Sequence, residues 1–195
     1  MELILVRHGL PLRREVVEGP ADPELSPEGV DQAARLANYL ATEKIAAIYS
    51  SPMKRAVQTA EPLAQTTGLP ISIIDEVAEY DRLSSEYIPI EELRAANDER
   101  WQKLLVGEWQ SDSDTLESFR NRVISSLEQL IRQHASQRIV VTCHGGVINQ
   151  YLAHILGIST ERGFFYPQYT SIHRVVASQN GLRSVGSLNE IAHLR

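Results

Sequence analysis

The chain has 195 residues, a net charge of -6, 43% hydrophobic residues and 23% charged ones. That length supports one α/β domain with a sizeable buried core. The acidic balance argues against a nucleic-acid binder, which presents a basic face, but a small cationic pocket can still take an anionic substrate. The lone cysteine, Cys143, excludes an internal disulfide. No apolar run approaches the roughly 18 residues of a membrane span. The N-terminus lacks the basic start and cleavage site of a signal peptide. The expectation is a cytoplasmic enzyme with neither membrane nor nucleic acid as partner.

Three short runs rich in Ile and Val read as strands buried on both faces: "LILV" (3–6), "IAAIY" (45–49) and "RIVVTC" (138–143). After the first, a helix is predicted behind "LSPEG". Ser26 caps it, Pro27 fits its first turn, and Val30, Ala33, Ala34, Ala37 and Leu40 form its apolar stripe. A second helix should start near Ser51-Pro52 and run towards Gly68, with Pro62 as an irregularity. A third spans about 115–136, with Leu116, Phe119, Val123, Leu127, Leu130 and Ile131 on one stripe. A fourth spans about 146–156 and stops at Gly157. Runs at 172–177 and 183–188, separated by "QNG", read as a hairpin. Strands alternating with helices imply a doubly wound, mostly parallel α/β sheet flanked by helices. Residues 75–115 break the rhythm and read as a lid inserted over one end of that sheet within a single domain, 1–195.

Ligands of open α/β sheets bind beyond the carboxyl ends of the strands. Each buried run ends in polar chemistry at that place. "LILV" leads into Arg7-His8-Gly9; "IAAIY" into "SSPMKR" with Arg55; "RIVVTC" into His144-Gly145-Gly146 and a helix start. If the strands are parallel neighbours, two guanidiniums, two imidazoles and two helix N-termini converge. Such a set suits a tetrahedral dianion. Each piece alone has an ordinary explanation as a surface turn or a solvated side chain; their joint placement carries the inference.

These segments resemble the histidine phosphatase superfamily, which has the phosphoglycerate-mutase-like fold. "LVRHG", "YSSPMKRAVQTA", "VVTCHGGVIN" and the ending "GSLNEIAHL" look like its successive motifs, in order and spacing. The resemblance implies a phosphomonoester hydrolase in which His8 attacks phosphorus and carries a phosphohistidine. Arg7, Arg55 and His144, with Gly145 beside them, would hold the phosphoryl oxygens, and no metal or cofactor is implied. The family's proton donor falls in "VAEYD", which points to Glu79, with Glu76 and Asp81 as neighbouring candidates. Leu10 and Pro11 replace a Glu-Thr pair usual in the family, and Arg14 stands where an asparagine often lies near phosphate. Arg13 or Arg14 could meet a second anionic group of the substrate, or form a solvated basic pair.

Two other readings remain beside the phosphatase: a mutase-type phosphotransferase and a non-catalytic phospho-ligand binder. Residues 75–120 hold 13 Asp and Glu against 5 Lys and Arg, a poor clamp for a second anion. That favours hydrolysis of a small phosphorylated substrate. Tyr80, Tyr87, Trp101 and Trp109 could line an apolar leaving-group pocket or pack in the core. A cysteine phosphatase is excluded because the residue that should be arginine, six after Cys143, is Asn149. There is no P-loop and no His-Glu-x-x-His. Oligomeric state is not legible.

Overall fold

A computed structural model of the chain describes residues 1–106, 114–159 and 163–195. Its centre is a six-stranded sheet. In chain order the strands are β1 (Glu2–Arg7), β3 (Ala47–Ser50), β4 (Ile71–Ile73), β6 (Arg138–Cys143), β7 (Ile172–Ala177) and β8 (Arg183–Glu190). They lie side by side as β4-β3-β6-β1-β7-β8. The first four in that row are parallel, and β7 and β8 close the edge as an antiparallel hairpin. A two-residue ribbon stands apart, β2 (Arg14–Glu15) against β5 (Glu86–Tyr87). The helices are α1 (Pro27–Leu40), α2 (Lys54–Thr67), α3 (Ile90–Ala95), α4 (Glu99–Val106), α5 (Leu116–Gln133) and α6 (Gly145–Leu156).

The sheet is covered on both faces, which is why its central strands are uninterrupted apolar runs. Alternation along β1 sends Leu3 and Leu5 to one side and Ile4 and Val6 to the other. Leu3 and Leu5 pack with Phe119, Val123, Leu127 and the α6 residues Ile148, Tyr151 and Leu152. Ile4 and Val6 pack with Leu36, Leu40, Ala60 and Leu63 of α1 and α2. Cys143 is fully buried in the first of these cores, where burial pushes its thiol well above the ordinary range. It cannot serve as a thiolate there.

Helix α5 keeps the stripe read from its sequence, with Thr115 accepting from the Ser118 amide at 3.1 Å. Helix α1 is capped by Ser26 as expected, through the Gly29 amide at 3.1 Å. Its buried face is rotated, however. Gly29, Gln32 and Leu36 lie inside with Ala33, Ala37 and Leu40, whereas Val30 and Ala34 are exposed. The cause is the loop after β1. The Leu10 amide donates to Gln32 Oε1, and the Leu10 carbonyl accepts from the Ser26 amide and hydroxyl. A Cβ on Gly29 would stand 2.1 Å from that carbonyl oxygen, so the approach requires glycine.

Helix α2 starts later than expected, at Lys54. Ser51 precedes Pro52 and so disfavours helical geometry. The Lys54 amide is capped instead by the Asp22 carboxylate, 3.1 Å from each oxygen. Pro62 does not interrupt the helix. Ala60 and Leu63, buried on either side of it, hold that stretch against the sheet. Helix α6 begins at Gly145, one residue earlier than read, and ends at Gly157 with φ 66°.

Candidate active site

Parallel register brings the strand ends level: Arg7 pairs with Cys143, and Ser50 with Thr142. The residues that follow each strand, His8, Ser51 and His144, therefore emerge at one edge. The His8 amide donates to the Cys143 carbonyl at 2.9 Å and the Ser51 amide to the Thr142 carbonyl at 3.0 Å, extending the ladder by one rung. Arg55, in the first turn of α2, points into the same space and is 1% exposed.

His8 sits under strong positive charge. Its Nδ1 lies 2.8 Å from the Gly9 carbonyl oxygen, which can only accept. Nδ1 therefore carries the proton and Nε2 keeps its lone pair. Arg55 Nε donates to that lone pair at 3.3 Å. Burial, then the Arg55 and Arg7 charges, hold His8 well below the usual histidine range, so the ring is neutral at pH 7.

His144 lies 5.2 Å away, ring centre to ring centre. Its Nε2 is 2.7 Å from Ser51 Oγ, and Ser51 Oγ also accepts from the Met53 amide. A serine hydroxyl that donates to Nε2 leaves the ring proton on Nδ1. Nothing in the sequence motifs singled out Ser51 for this task. Arg7 is held by its Nη1, which donates to the Tyr166 hydroxyl at 2.9 Å and the Pro167 carbonyl at 2.7 Å. Its guanidinium lies 3.9 Å from the centre of the Tyr169 ring, a stacked cation–π contact. Arg55 is similarly placed 4.6 Å from the Tyr87 ring centre. Glu91 of α3 accepts from both the Tyr166 and Tyr169 hydroxyls.

Among the described residues, Arg7 Nε, Arg55 Nη1 and His144 Nδ1 are buried nitrogens without a hydrogen-bond partner. Buried donors rarely go unpaired, since each omission costs about 1–3 kcal/mol. Three on residues beside one imidazole suit a ligand with several acceptor oxygens. The amide end of α6 opens on the same place, with Gly145 close enough that an added Cβ would stand 3.9 Å from Arg7 Nε.

Glu79 joins the cluster through α6. Its Oε2 accepts from the Gly146 amide at 2.9 Å, and its Oε1 from the Tyr80 amide at 2.8 Å. Burial and the neighbouring Asp81 carboxylate raise its pKa, against the lowering effect of those two amides. Asp81 is raised as well, mainly by burial.

Of the residues singled out in the sequence, Arg7, His8, Arg55, His144, Gly145 and Glu79 share this site. Glu76 is exposed. Arg14 pairs with Tyr87 across the β2–β5 ribbon, which puts the two side chains on one face. Tyr87 enters the site, whereas Arg14 is exposed at its rim. Arg13 is engaged by Glu15 at 2.5 Å. Tyr80 packs on Phe119, centroids 5.4 Å apart, so its role is in the core. Trp101 is half-buried on α4, and Trp109 lies outside the described residues. Tyr166, Tyr169, Ser51 and Asp22, which sits 3.8 Å from Arg55 Nη1, were not read from the sequence.

A family model of the histidine phosphatase superfamily (branch 1) matches residues 3–190. The chain belongs to that superfamily. Among curated relatives of this histidine phosphatase, phosphoserine phosphatase 1 of Hydrogenobacter thermophilus is 29% identical over 100% of this chain and 94% of its own. Phosphoglycerate mutase-like protein 4 of Arabidopsis thaliana is 30% identical over 75% of this chain and 67% of its own. Among solved structures, phosphoserine phosphatase of Entamoeba histolytica in complex with 3-phosphoglyceric acid superimposes with a TM-score of 0.78. It is 28% identical, covering 100% of this chain and 99% of that one. The expected fold, a mostly parallel α/β sheet flanked by helices, is thus present in the chain and in its relatives, and the enzyme is a phosphatase by family.

Proposed function

We propose that this phosphatase hydrolyses small phosphomonoesters through a phosphohistidine on His8, without a metal. The observation that carries the reading is the set of three buried nitrogens without a hydrogen-bond partner on the residues beside His8, whose Nε2 carries the lone pair. Nε2 attacks phosphorus as the ester oxygen leaves on the opposite side. Arg7, Arg55 and the Nδ1–H of His144 receive the equatorial oxygens, supplying the positive charge that a metal provides elsewhere. The α6 amide end at Gly145 adds to this field, and Arg14 at the rim steers the incoming dianion. Glu79, whose pKa is raised by burial and by Asp81, gives a proton to the leaving alkoxide. It then takes one from the water that attacks the phosphohistidine.

Hydrolysis is favoured over transfer to a second phosphorylated acceptor by what stands beside the phosphate. Asp81 and Asp22 are carboxylates, and each would repel a further anionic group. A non-catalytic binder needs neither a neutral histidine with its Nε2 lone pair turned to the site nor a carboxyl with a raised pKa, and this site has both. The stretch 75–106, through Tyr87, Glu79 and Glu91, acts as the cover of the site. Phosphoserine belongs first on the substrate panel because of the relatives' names. No described helix is long and apolar enough to cross a membrane. The single buried thiol suits a reducing cytoplasm.

The test is hydrolysis of 4-nitrophenyl phosphate and phosphoserine in excess chelator, with rapid quenching to trap phosphate on the protein. Acid-labile, base-stable label on wild type and none on His8→Ala supports the reading. Turnover that survives His8→Ala overturns it.

A further inference from the structure

Helix α5 carries an arginine that the phosphate chemistry does not use. Arg122 is mostly buried, at 14% side-chain exposure. Its Nη1 donates to the Glu76 carbonyl at 2.5 Å and the Ala78 carbonyl at 2.7 Å. Its Nη2 donates to the Glu79 carbonyl at 3.3 Å. Three main-chain acceptors within four residues thus converge on one guanidinium. On its other edge Nη2 and Nε both donate to Asp114 Oδ2, at 2.8 and 3.3 Å. Asp114 is 6% exposed, and its other oxygen lies 3.6 Å from Arg82. The flat face of the guanidinium rests on Phe119, 4.7 Å from the ring centre.

This fixes the backbone on both sides of one side chain. The chain leaves a 3-10 turn at Asp75–Val77, buries Val77 and Ala78, and then presents Glu79 to the Gly146 amide. The fork of donors pairs the Glu76 and Ala78 carbonyls, and shares the Glu79 carbonyl with the Arg82 amide. An ammonium, a point charge on a flexible stem, cannot reach three separated carbonyls and a carboxylate together.

We propose that Arg122, held by Asp114, is the positioning residue for the Glu79 carboxyl. The assignment rests on the reading of Glu79 as proton donor. It makes a demand that a purely structural role does not. Loss of Arg122 must harm esters that need a protonated leaving group and spare those that do not.

The experiment compares wild type, Arg122→Lys, Asp114→Asn and Glu79→Gln, as full chains, on an alkyl phosphate and on 4-nitrophenyl phosphate. Misplacing a catalytic group by about 1 Å costs up to ~100-fold. Arg122→Lys should therefore lower kcat/KM, which does not include the later hydrolysis of phosphohistidine, by about 10- to 100-fold on the alkyl ester and by less than about threefold on the nitrophenyl ester. Asp114→Asn keeps an acceptor for the arginine and should show the same selectivity at about 3- to 10-fold. It also keeps the test open if Arg122→Lys does not fold. Equal losses on both esters, or none, in a folded variant overturn the assignment of Arg122 alone, provided Glu79→Gln is selective. A Glu79→Gln that is itself unselective overturns the reading of Glu79, and the role of Arg122 with it.

Discussion

Gly146 offers a sharp test because its side chain is missing for a measurable reason. A Cβ built there would stand 2.3 Å from Glu79 Oε1, 3.1 Å from its Cδ and 3.2 Å from Oε2. Ordinary carbon–oxygen contact begins near 3.4 Å, so in Gly146→Ala the carboxylate must retreat by about 1 Å. The retreat also breaks the 2.9 Å bond from the Gly146 amide. A misplacement of that size should cost about 100-fold in kcat/KM wherever proton donation matters, or about 2.7 kcal/mol of transition-state stabilisation. Stability should change little. Alanine within a helix gains up to about 1 kcal/mol over glycine, which offsets part of the cost of one unpaired amide. The assay is kcat/KM, which reports the leaving-group step and not the later hydrolysis of phosphohistidine, on an alkyl phosphate beside 4-nitrophenyl phosphate, with inhibition by inorganic phosphate and the thermal midpoint recorded on the same protein. The expected pattern is a large loss on the alkyl ester, a small one on the nitrophenyl ester, and phosphate affinity retained. A Gly146→Ala variant that hydrolyses the alkyl ester at the wild-type rate would refute the placement of Glu79 as donor.

Three further outcomes follow from the same geometry. Asp81 raises the pKa of Glu79, so Asp81→Asn should lower it, and the loss of alkyl-ester activity at high pH should begin at a lower pH; a pH–kcat profile with an unmoved basic limb contradicts this. Tyr166→Phe removes one hydroxyl acceptor from Arg7 and should raise KM about fivefold, the equivalent of ~1 kcal/mol, with kcat within about threefold; a fall confined to kcat argues that Arg7 acts chiefly in the transition state. His173 is buried against Ser171 and Asn189 with its pKa lowered to about 4, by burial. Its folded pKa is depressed, so its stabilising contribution is complete above pH 6.5 and lost as pH falls towards 4, by roughly 3 kcal/mol. Urea titrations at stepped pH should show that loss reduced in His173→Asn; an unchanged slope removes His173 from the account.

The phosphate-facing residues were legible because the topology reduces them to a rule. Three apolar runs, each ending in a cationic or imidazole side chain, become one pocket once the strands are parallel neighbours. Alternation on β1 and β6 then settles which side chains face in. Leu10 and Pro11 depart from the family pattern without disturbing the site, because Leu10 contributes its backbone: its amide goes to Gln32 and its carbonyl to Ser26. What could not be read is what lies far away in the chain. Tyr166 and Tyr169 are some 160 residues from the Arg7 they enclose, and their own surroundings in the sequence, "FFYPQYTS", carry no periodic signal. Ser51-Pro52 read only as the place near which a helix begins. The Ser51 hydroxyl instead meets Nε2 of His144, a contact across 93 residues. The rotation of α1 was hidden for the same reason, since the partner that turns it is the Leu10 backbone and not an apolar side chain.

The division of charge within the site also bears on why water, and not a second alcohol phosphate, should complete the reaction. Arg7 and Arg55 supply two full positive charges in a buried space, enough to balance one phosphoryl dianion. Two carboxylates stand close by: Asp81 beside Glu79, and Asp22 at 3.8 Å from Arg55 Nη1. An acceptor bearing its own phosphate would bring at least one more negative charge against them, and two charges at 4 Å repel by about 4 kcal/mol at an effective dielectric of 20. Water brings none. Replacing Asp22 and Asp81 together by Asn should therefore do more for inhibition by a second anionic group, such as 3-phosphoglycerate, than for inhibition by inorganic phosphate. If both inhibitors tighten equally, the carboxylates merely weaken the phosphate site, and the acidic surroundings do not select against transfer.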